Sequence, residues 1–222
     1  MRKVITIDGL AASGKSSISR ALSEKIGFIH LNSGAHYRAV AYLLRESKLE
    51  NTPENLAQLL KSNKIELYNS NGATDILING KVCTEHLFSN DISILVSKVS
   101  AVPIVREALL DAQRHAFDGE DIVAEGRDMG TVVFSDASAK FFIVVDVEVR
   151  TRRRMQQLGL NQEIDFDRLK AELLQRDKRD QNREISPAVA AADALIIDNS
   201  RGSLTEVVEN IYASLRKIGV LP

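Results

Sequence analysis

Cysteine is almost missing from this chain. One residue in 222, Cys83, excludes an internal disulfide and fits a reducing cytosol. No grouping of cysteine and histidine has the spacing of a metal site. Charge of one sign is missing too. A formal net charge of -1 and a pI near 6.4 give no bulk attraction to DNA, RNA or anionic lipid. At 5% aromatic residues, there is little to stack against single-stranded bases. No apolar run reaches membrane length, and Met1-Arg2-Lys3 leads into the first strand without a signal-type apolar region. Internal repeats and low-complexity tracts are also absent. The expectation is a cytoplasmic protein with no nucleic-acid or membrane partner.

What is present is ordinary in amount. Hydrophobic content of 44% and charged content of 27% suit a globular protein, long enough for one substantial core and a small inserted subdomain. Short apolar strand candidates alternate with helical stretches: Val4 to Ile7, Phe28 to Leu31, Ile122 to Ala124, Phe141 to Val145 and Leu195 to Ile197. A helix from Ser203 carries Leu204, Val207, Val208, Ile211 and Leu215 at helical spacing. Strands separated by helices predict an α/β fold with a parallel sheet covered on both faces. From Ile65 to Thr84 the rhythm changes to short strands with Gly72 and then Asn79-Gly80 between apolar runs. Asn-Gly in that setting marks a tight hairpin and predicts a small antiparallel element beside the main sheet.

The most specific local feature is Gly9-Leu10-Ala11-Ala12-Ser13-Gly14-Lys15-Ser16, a G-x-x-x-x-G-K-S match. The strand of Val4, Ile5 and Ile7 precedes it, and Ile18, Ala21, Leu22 and Ile26 recur at helical spacing behind it. A strand feeding a Gly-rich turn into a helix aims backbone N–H groups and the positive end of the helix dipole at one point. That point suits a polyphosphate. Lys15 would reach the outer phosphates, and the Ser16 hydroxyl would complete the shell of a Mg²⁺ ion.

A phosphate loop specifies nucleotide binding, so the reaction must be read elsewhere. Ser33 is a plausible N-cap in Leu31-Asn32-Ser33-Gly34-Ala35-His36-Tyr37-Arg38. Arg38 is there either a solvated arginine or a cation facing the mouth of the sheet. Glu125-Gly126-Arg127-Asp128-Met129-Gly130-Thr131 follows a strand, where open α/β sheets bind ligands. Arg176 to Arg183, with Arg150, Arg152, Arg153 and Arg154 before it, makes two arginine clusters in a chain without net positive charge. Such runs are usually solvated helix faces, but phosphoryl transfer needs cations around the moving group.

Together these residues resemble the bacterial-type cytidylate kinases, P-loop nucleoside monophosphate kinases. The resemblance runs essentially end to end, through Val105-Arg106-Glu107-Ala108-Leu109-Leu110, Arg153-Arg154-Met155 and Ala191-Ala192-Asp193-Ala194. It is most specific in Gly126-Arg127-Asp128-Met129-Gly130-Thr131-Val132-Val133-Phe134. The family fold implied is one P-loop kinase unit over 1–222, with a monophosphate-binding insertion about 33–100 and a helical lid about 148–165.

The resemblance implies an ATP-dependent kinase of CMP and dCMP in pyrimidine metabolism, with ATP as co-substrate and Mg²⁺ as cofactor; a monomer is expected. By it Gly9, Leu10, Ala11, Ala12, Ser13, Gly14, Lys15, Ser16 and Ser17 bind ATP. Ser33, Arg38 and Arg127 hold the acceptor phosphate. Ser97, Arg106, Asp128 and Arg183 surround the cytosine, and Arg176 and Asp180 address the ribose. Lys15, Arg127, Arg153 and Arg154 act on the transferred group, with Arg150 as a third lid arginine and Ser16 as the Mg²⁺ residue. Cytosine offers an amino donor where uracil has an acceptor, which suits the Asp128 carboxylate. Four residues depart from the family pattern: Leu10 for proline, Asn32 for aspartate, His36 for an apolar residue and Glu125 for aspartate. Glu125 still leaves an acidic group able to hold Mg²⁺ through water. Rival readings are a P-loop kinase for UMP, another nucleoside monophosphate or shikimate, and a GTPase-type switch. The switch lacks an Asn-Lys-x-Asp guanine-reading motif.

Overall fold

In the computed structural model the described residues are 2–70, 73–160 and 163–222. Gly72, expected near the first hairpin turn, and residues 161–162 of the expected lid lie outside them. In chain order the elements are β1 (Val4–Gly9), α1 (Lys15–Ile26), β2 (Ile29–Asn32), α2 (Gly34–Ser47), α3 (Pro53–Ser62), β3 (Ile65–Ser70), β4 (Ala73–Ile78) and β5 (Lys81–Val82). They continue with α4 (Asn90–Val99), α5 (Pro103–Arg114), β6 (Ile122–Gly126), β7 (Ala139–Val144), α6 (Val147–Leu158), α7 (Glu163–Gln181), β8 (Leu195–Asp198) and α8 (Leu204–Lys217). The chain divides into two units, 1–28 with 121–222, and 29–120.

In the first unit the strands run parallel in the order β6-β1-β7-β8, with Ile5 opposite Val123 and Ala139, and Ile143 opposite Ile197. Alternation along β1 decides what each face does. Ile5 and Ile7 point into a core with Ile18 and Leu22 of α1 and with Val207, Ile211 and Leu215 of α8. Each such side chain contributes roughly 1.5–3 kcal/mol by leaving water. Between them stand Thr6 and Asp8, equally buried but polar. Met129–Val133, one wide turn of π type, covers them, and a Cβ on Gly130 would lie 2.8 Å from the Thr6 hydroxyl. Helix α8 starts with a capping box, Ser203 and Glu206 each satisfying the other's backbone N–H.

The second unit is built around α2. One flank packs Tyr37, Val40 and Leu44 against α3, α4 and α5 through Leu56, Ile92, Val96 and Val105. The other packs Ala35 and Ala39 against Ile76, Ile78 and Leu87. Strands β3, β4 and β5 form an antiparallel sheet, with Ile65 paired to Ile78 and Ile78 to Lys81. Asn79 and Gly80 make the predicted two-residue turn with φ of 52° and 76°. The Asn79 side chain ties that turn to Lys64 N–H at 2.9 Å.

His36 is fully inside this unit, and burial alone pulls its pKa from 6.5 to about 4. It is therefore neutral near pH 7, which lets it take an apolar position. Ser33 does precede α2 but does not cap it as expected. Its own dihedrals are already helical, and its side chain makes no cap bond.

Candidate active site

β1 ends at Gly9 because nothing larger fits. A Cβ there would meet the Ile143 carbonyl at 2.8 Å. The loop then passes through two left-handed residues, Ala12 at φ 57° and Gly14 at φ 83°, before α1 begins at Lys15. Gly14 caps α1 without a side chain, and the first turn holds no acidic residue. The leading N–H groups of α1 are thus left for an anion.

Lys15 is half-buried here. Burial and the neighbouring Arg127 pull its pKa from 10.5 down to about 7, Arg176 acts in the same sense, and Glu125 and Asp8 oppose them. Desolvation and the two arginines outweigh the two carboxylates, so a bound polyanion would favour the ammonium. Ser16 donates its hydroxyl hydrogen to Glu125 Oε2 at 2.6 Å, linking α1 to the end of β6.

The Gly126-Arg127-Asp128 turn is held from beneath. Asp8 accepts the N–H groups of Met129 and Gly130 at 3.0 and 2.8 Å, one on each oxygen. Burial nevertheless raises its carboxyl from 3.8 to about 7, with Asp128 adding to the effect. Asp128 is buried, and its carbonyl accepts from Val132 and Val133.

Asp180, near the end of α7, is a hub. Arg127 reaches it at 3.2 Å, Arg176 at 3.9 Å, and Arg183 bonds to its other oxygen. Burial works to raise the Asp180 carboxyl, but Arg127, Arg183 and Arg176 outweigh it and hold it below the usual carboxylate range. One turn earlier, Asp177 bonds Arg150 at 2.6 Å, while the same Arg150 nitrogen reaches the Ala11 carbonyl at 3.1 Å. Arg150 was expected as a lid arginine available to phosphate. Instead it is inside the protein as a brace between α6, α7 and the phosphate loop. Arg153 lies against Gly14 with Nη2 on the Asn199 carbonyl, and Arg154 bonds Gln157 on its own helix.

Four of the expected residues belong to the second unit. Ser33 is buried at the start of α2. Arg38 donates to the Leu87 carbonyl at 2.8 Å and to Ser93 at 3.2 Å, and lies 4.8 Å from the Phe88 ring centre. Arg106 donates to the Ser100 carbonyl at 3.0 Å over the Tyr37 ring. The buried Ser97 hydroxyl has no hydrogen-bond partner among the described residues. The first unit therefore gathers Lys15, Ser16, Arg127, Arg176, Asp180 and Arg183, and the second separately holds Ser33, Arg38, Ser97 and Arg106. Asp8, Asp177 and Asn199 were not foreseen. The only trace of Asp8 in the sequence is a charge in a mostly apolar strand.

A phosphate loop beside an arginine cluster still leaves many kinases open, and comparison with known proteins narrows them. The profile of the cytidylate kinase family matches residues 5–217. This chain belongs to that family. A cytidylate kinase of Thermotoga neapolitana is 42% identical over 212 residues, covering 93% of this chain and 94% of its own. A cytidylate kinase of Yersinia pestis is 37% identical over 223 residues, covering 99% and 96%. Among solved structures, a shikimate kinase of Bacteroides thetaiotaomicron shares the fold, with a TM-score of 0.51 at 14% identity over 96% of this chain and 98% of its own. Membership in the cytidylate kinase family makes this chain a phosphotransferase. No helix among the described residues is long and apolar enough to cross a membrane.

Proposed function

We propose that this enzyme transfers the terminal phosphoryl group of ATP to CMP and dCMP, forming the diphosphates, as a step of pyrimidine nucleotide metabolism. The observation that carries the reading is a helix start with no side-chain cap, its half-buried Lys15 near Arg127 and Arg176, beside three arginines converging on Asp180. Family membership narrows the acceptor to a cytidine nucleotide.

The acceptor phosphate carries roughly -1.5 to -2 charges near neutrality and is already a nucleophile, so no general base is required. What this chain must do is hold two polyanions in line and offset their repulsion. In the reading, residues 9–17 cradle the ATP phosphates, and Lys15 pairs with them. Ser33, Arg38 and Arg127 hold the acceptor phosphate. Ser97, Arg106, Asp128 and Arg183 read the cytosine, while Arg176 and Asp180 address the ribose. Arg153 and Arg154 face the moving group from a lid of about 148–165, which excludes water as a competing acceptor. The insertion of about 33–100 binds the monophosphate.

The Ser16 hydroxyl beside Glu125 is a pair of hard oxygen donors, the set that fits Mg²⁺ carried in on substrate phosphates. When bound, the ion would neutralise phosphate charge, with Ser16 holding it and Glu125 orienting the hydroxyl. The working form is read as a monomer in the cytoplasm, without nucleic-acid or membrane partners.

An ADP-release assay across CMP, dCMP, UMP, AMP, GMP and shikimate tests the reading. CMP and dCMP are expected to turn over fastest. Faster turnover of any other acceptor overturns it.

A further inference from the structure

Asn199 is the residue after β8, 5% exposed, and its hydrogen bonds reach three different segments. Its backbone N–H donates to the Val144 carbonyl at 2.9 Å, extending the β7–β8 ladder by one rung. Its side-chain Nδ2 donates to the Ser13 carbonyl at 2.9 Å, within the phosphate loop. Its own carbonyl accepts Arg153 Nη2, also at 2.9 Å. Arg153 Nη1 is buried without a hydrogen-bond partner among the described residues, 3.7 Å from where a Cβ on Gly14 would stand.

We propose that Asn199 is a positioning residue that sets the Ser13–Gly14 peptide of the phosphate loop and docks Arg153 beside it. The peptide unit is planar and trans, so its carbonyl and N–H point in opposite directions. Pinning the Ser13 carbonyl on Asn199 therefore turns the Gly14 N–H away from Asn199 and toward the hollow in which the proposed ATP phosphates lie. The loop needs such a clamp because Ala12, a residue with a Cβ, is held at positive φ. The amide is the right group for the task. It donates to Ser13, whereas a carboxylate in its place would face that carbonyl with a lone pair. Gly14 completes the fit, since any Cβ would stand 2.9 Å from the Asn199 amide nitrogen. The same residue leaves Arg153 with one nitrogen occupied and the other unspent next to the loop. The loop's shape and the placing of an α6 arginine thus share one support.

The inference rests on the ATP part of the proposed function, and its test separates the two. Binding of a fluorescent ATP analogue and of CMP is measured for the wild type, Asn199→Ala, Asn199→Asp, Arg153→Ala and the Asn199→Ala/Arg153→Ala double variant, with melting temperatures and steady-state kinetics alongside. Losing one hydrogen bond in Asn199→Ala should weaken ATP about threefold to tenfold while CMP stays within about twofold. Asn199→Asp should weaken ATP more. The double variant should lose less than the product of the two single losses, because both act through one support. Should Asn199→Ala not fold, Asn199→Ser keeps a donor and is expected to fall between it and the wild type. Unchanged ATP binding in the variants, or an equal loss for both nucleotides, overturns the proposal. A wild type that binds ATP yet fails to phosphorylate CMP sinks the proposed acceptor and leaves the Asn199 comparison readable.

Discussion

Two sets of site arginines, one in each unit, are held in different ways. In the first, Arg127, Arg150, Arg176 and Arg183 are bound to the buried carboxylates of Asp177 and Asp180. In the second, Arg38 and Arg106 donate to backbone carbonyls and a hydroxyl and lie over the rings of Phe88 and Tyr37. A guanidinium clamped by a buried carboxylate is fixed before any ligand arrives, and removing its partner strands a charge. A guanidinium on carbonyls and a ring can exchange those partners for a phosphate at less cost. The four clamped arginines of the first unit are preorganised around charge.

The largest effect expected from this contrast is at the phosphate loop. Lys15→Ala should lower kcat by about 10²–10³-fold or more, as removing a donor aimed at developing charge does elsewhere, without lowering the melting temperature. Near-native turnover by a folded variant would mean the loop does not hold the donor. The next pair compares the units directly. Asp180→Ala strands Arg127 and Arg183 and should cost about 3–5 kcal/mol in denaturant unfolding. Arg38→Ala should leave unfolding nearly unchanged and raise KM for CMP about tenfold, with KM for ATP within about twofold. Equal stability losses for the two variants would erase the distinction between the units.

Base reading sharpens the comparison at a residue both buried and tied to the preorganised side. Asp128→Asn keeps the shape but offers uracil an amide donor, so the CMP-to-UMP ratio of kcat/KM should fall about tenfold. An unchanged ratio in a folded, active variant would remove Asp128 from the base pocket.

What could be read from the sequence was local. The phosphate loop is legible because its chemistry resides in backbone N–H groups and glycine, so eight consecutive residues specify it. The Asn79-Gly80 hairpin is legible for the same reason, since positive φ at two adjacent residues is written in their identity. The supports were not legible. Asp8 to Gly130, Asn199 to Ser13 and Arg150 to Asp177 join residues 122, 186 and 27 positions apart, and no periodicity marks such pairs. Arg150 shows the consequence. In the sequence it is one of four arginines within five residues, and only the fold makes it a buried brace. Ser33 shows the converse, since its residue type fits a cap that its dihedrals do not use.

The smallest expected effect tests whether preorganised charge leaves Lys15 half-protonated. With its pKa pulled to about 7 by burial and by Arg127, free Lys15 loses its proton as pH rises through neutrality. A bound polyphosphate favours the ammonium and restores the pKa, so above pH 7 binding must take up a proton, and affinity must fall as pH rises. Half of the free enzyme is protonated at pH 7 and about a tenth at pH 8, which predicts an affinity loss of about fivefold over that interval. ATP itself and Asp8 also titrate and Glu125 sits close by, so the control is Lys15→Arg, which keeps all three and stays charged. Calorimetry in buffers of different ionisation enthalpy should show close to one more proton taken up per ATP by the wild type than by Lys15→Arg at pH 8. Equal uptake by the two would mean that Lys15 carries its full charge before the nucleotide arrives. The positive field of Arg127 and Arg176 would then be offset by Glu125 and Asp8 within the site itself.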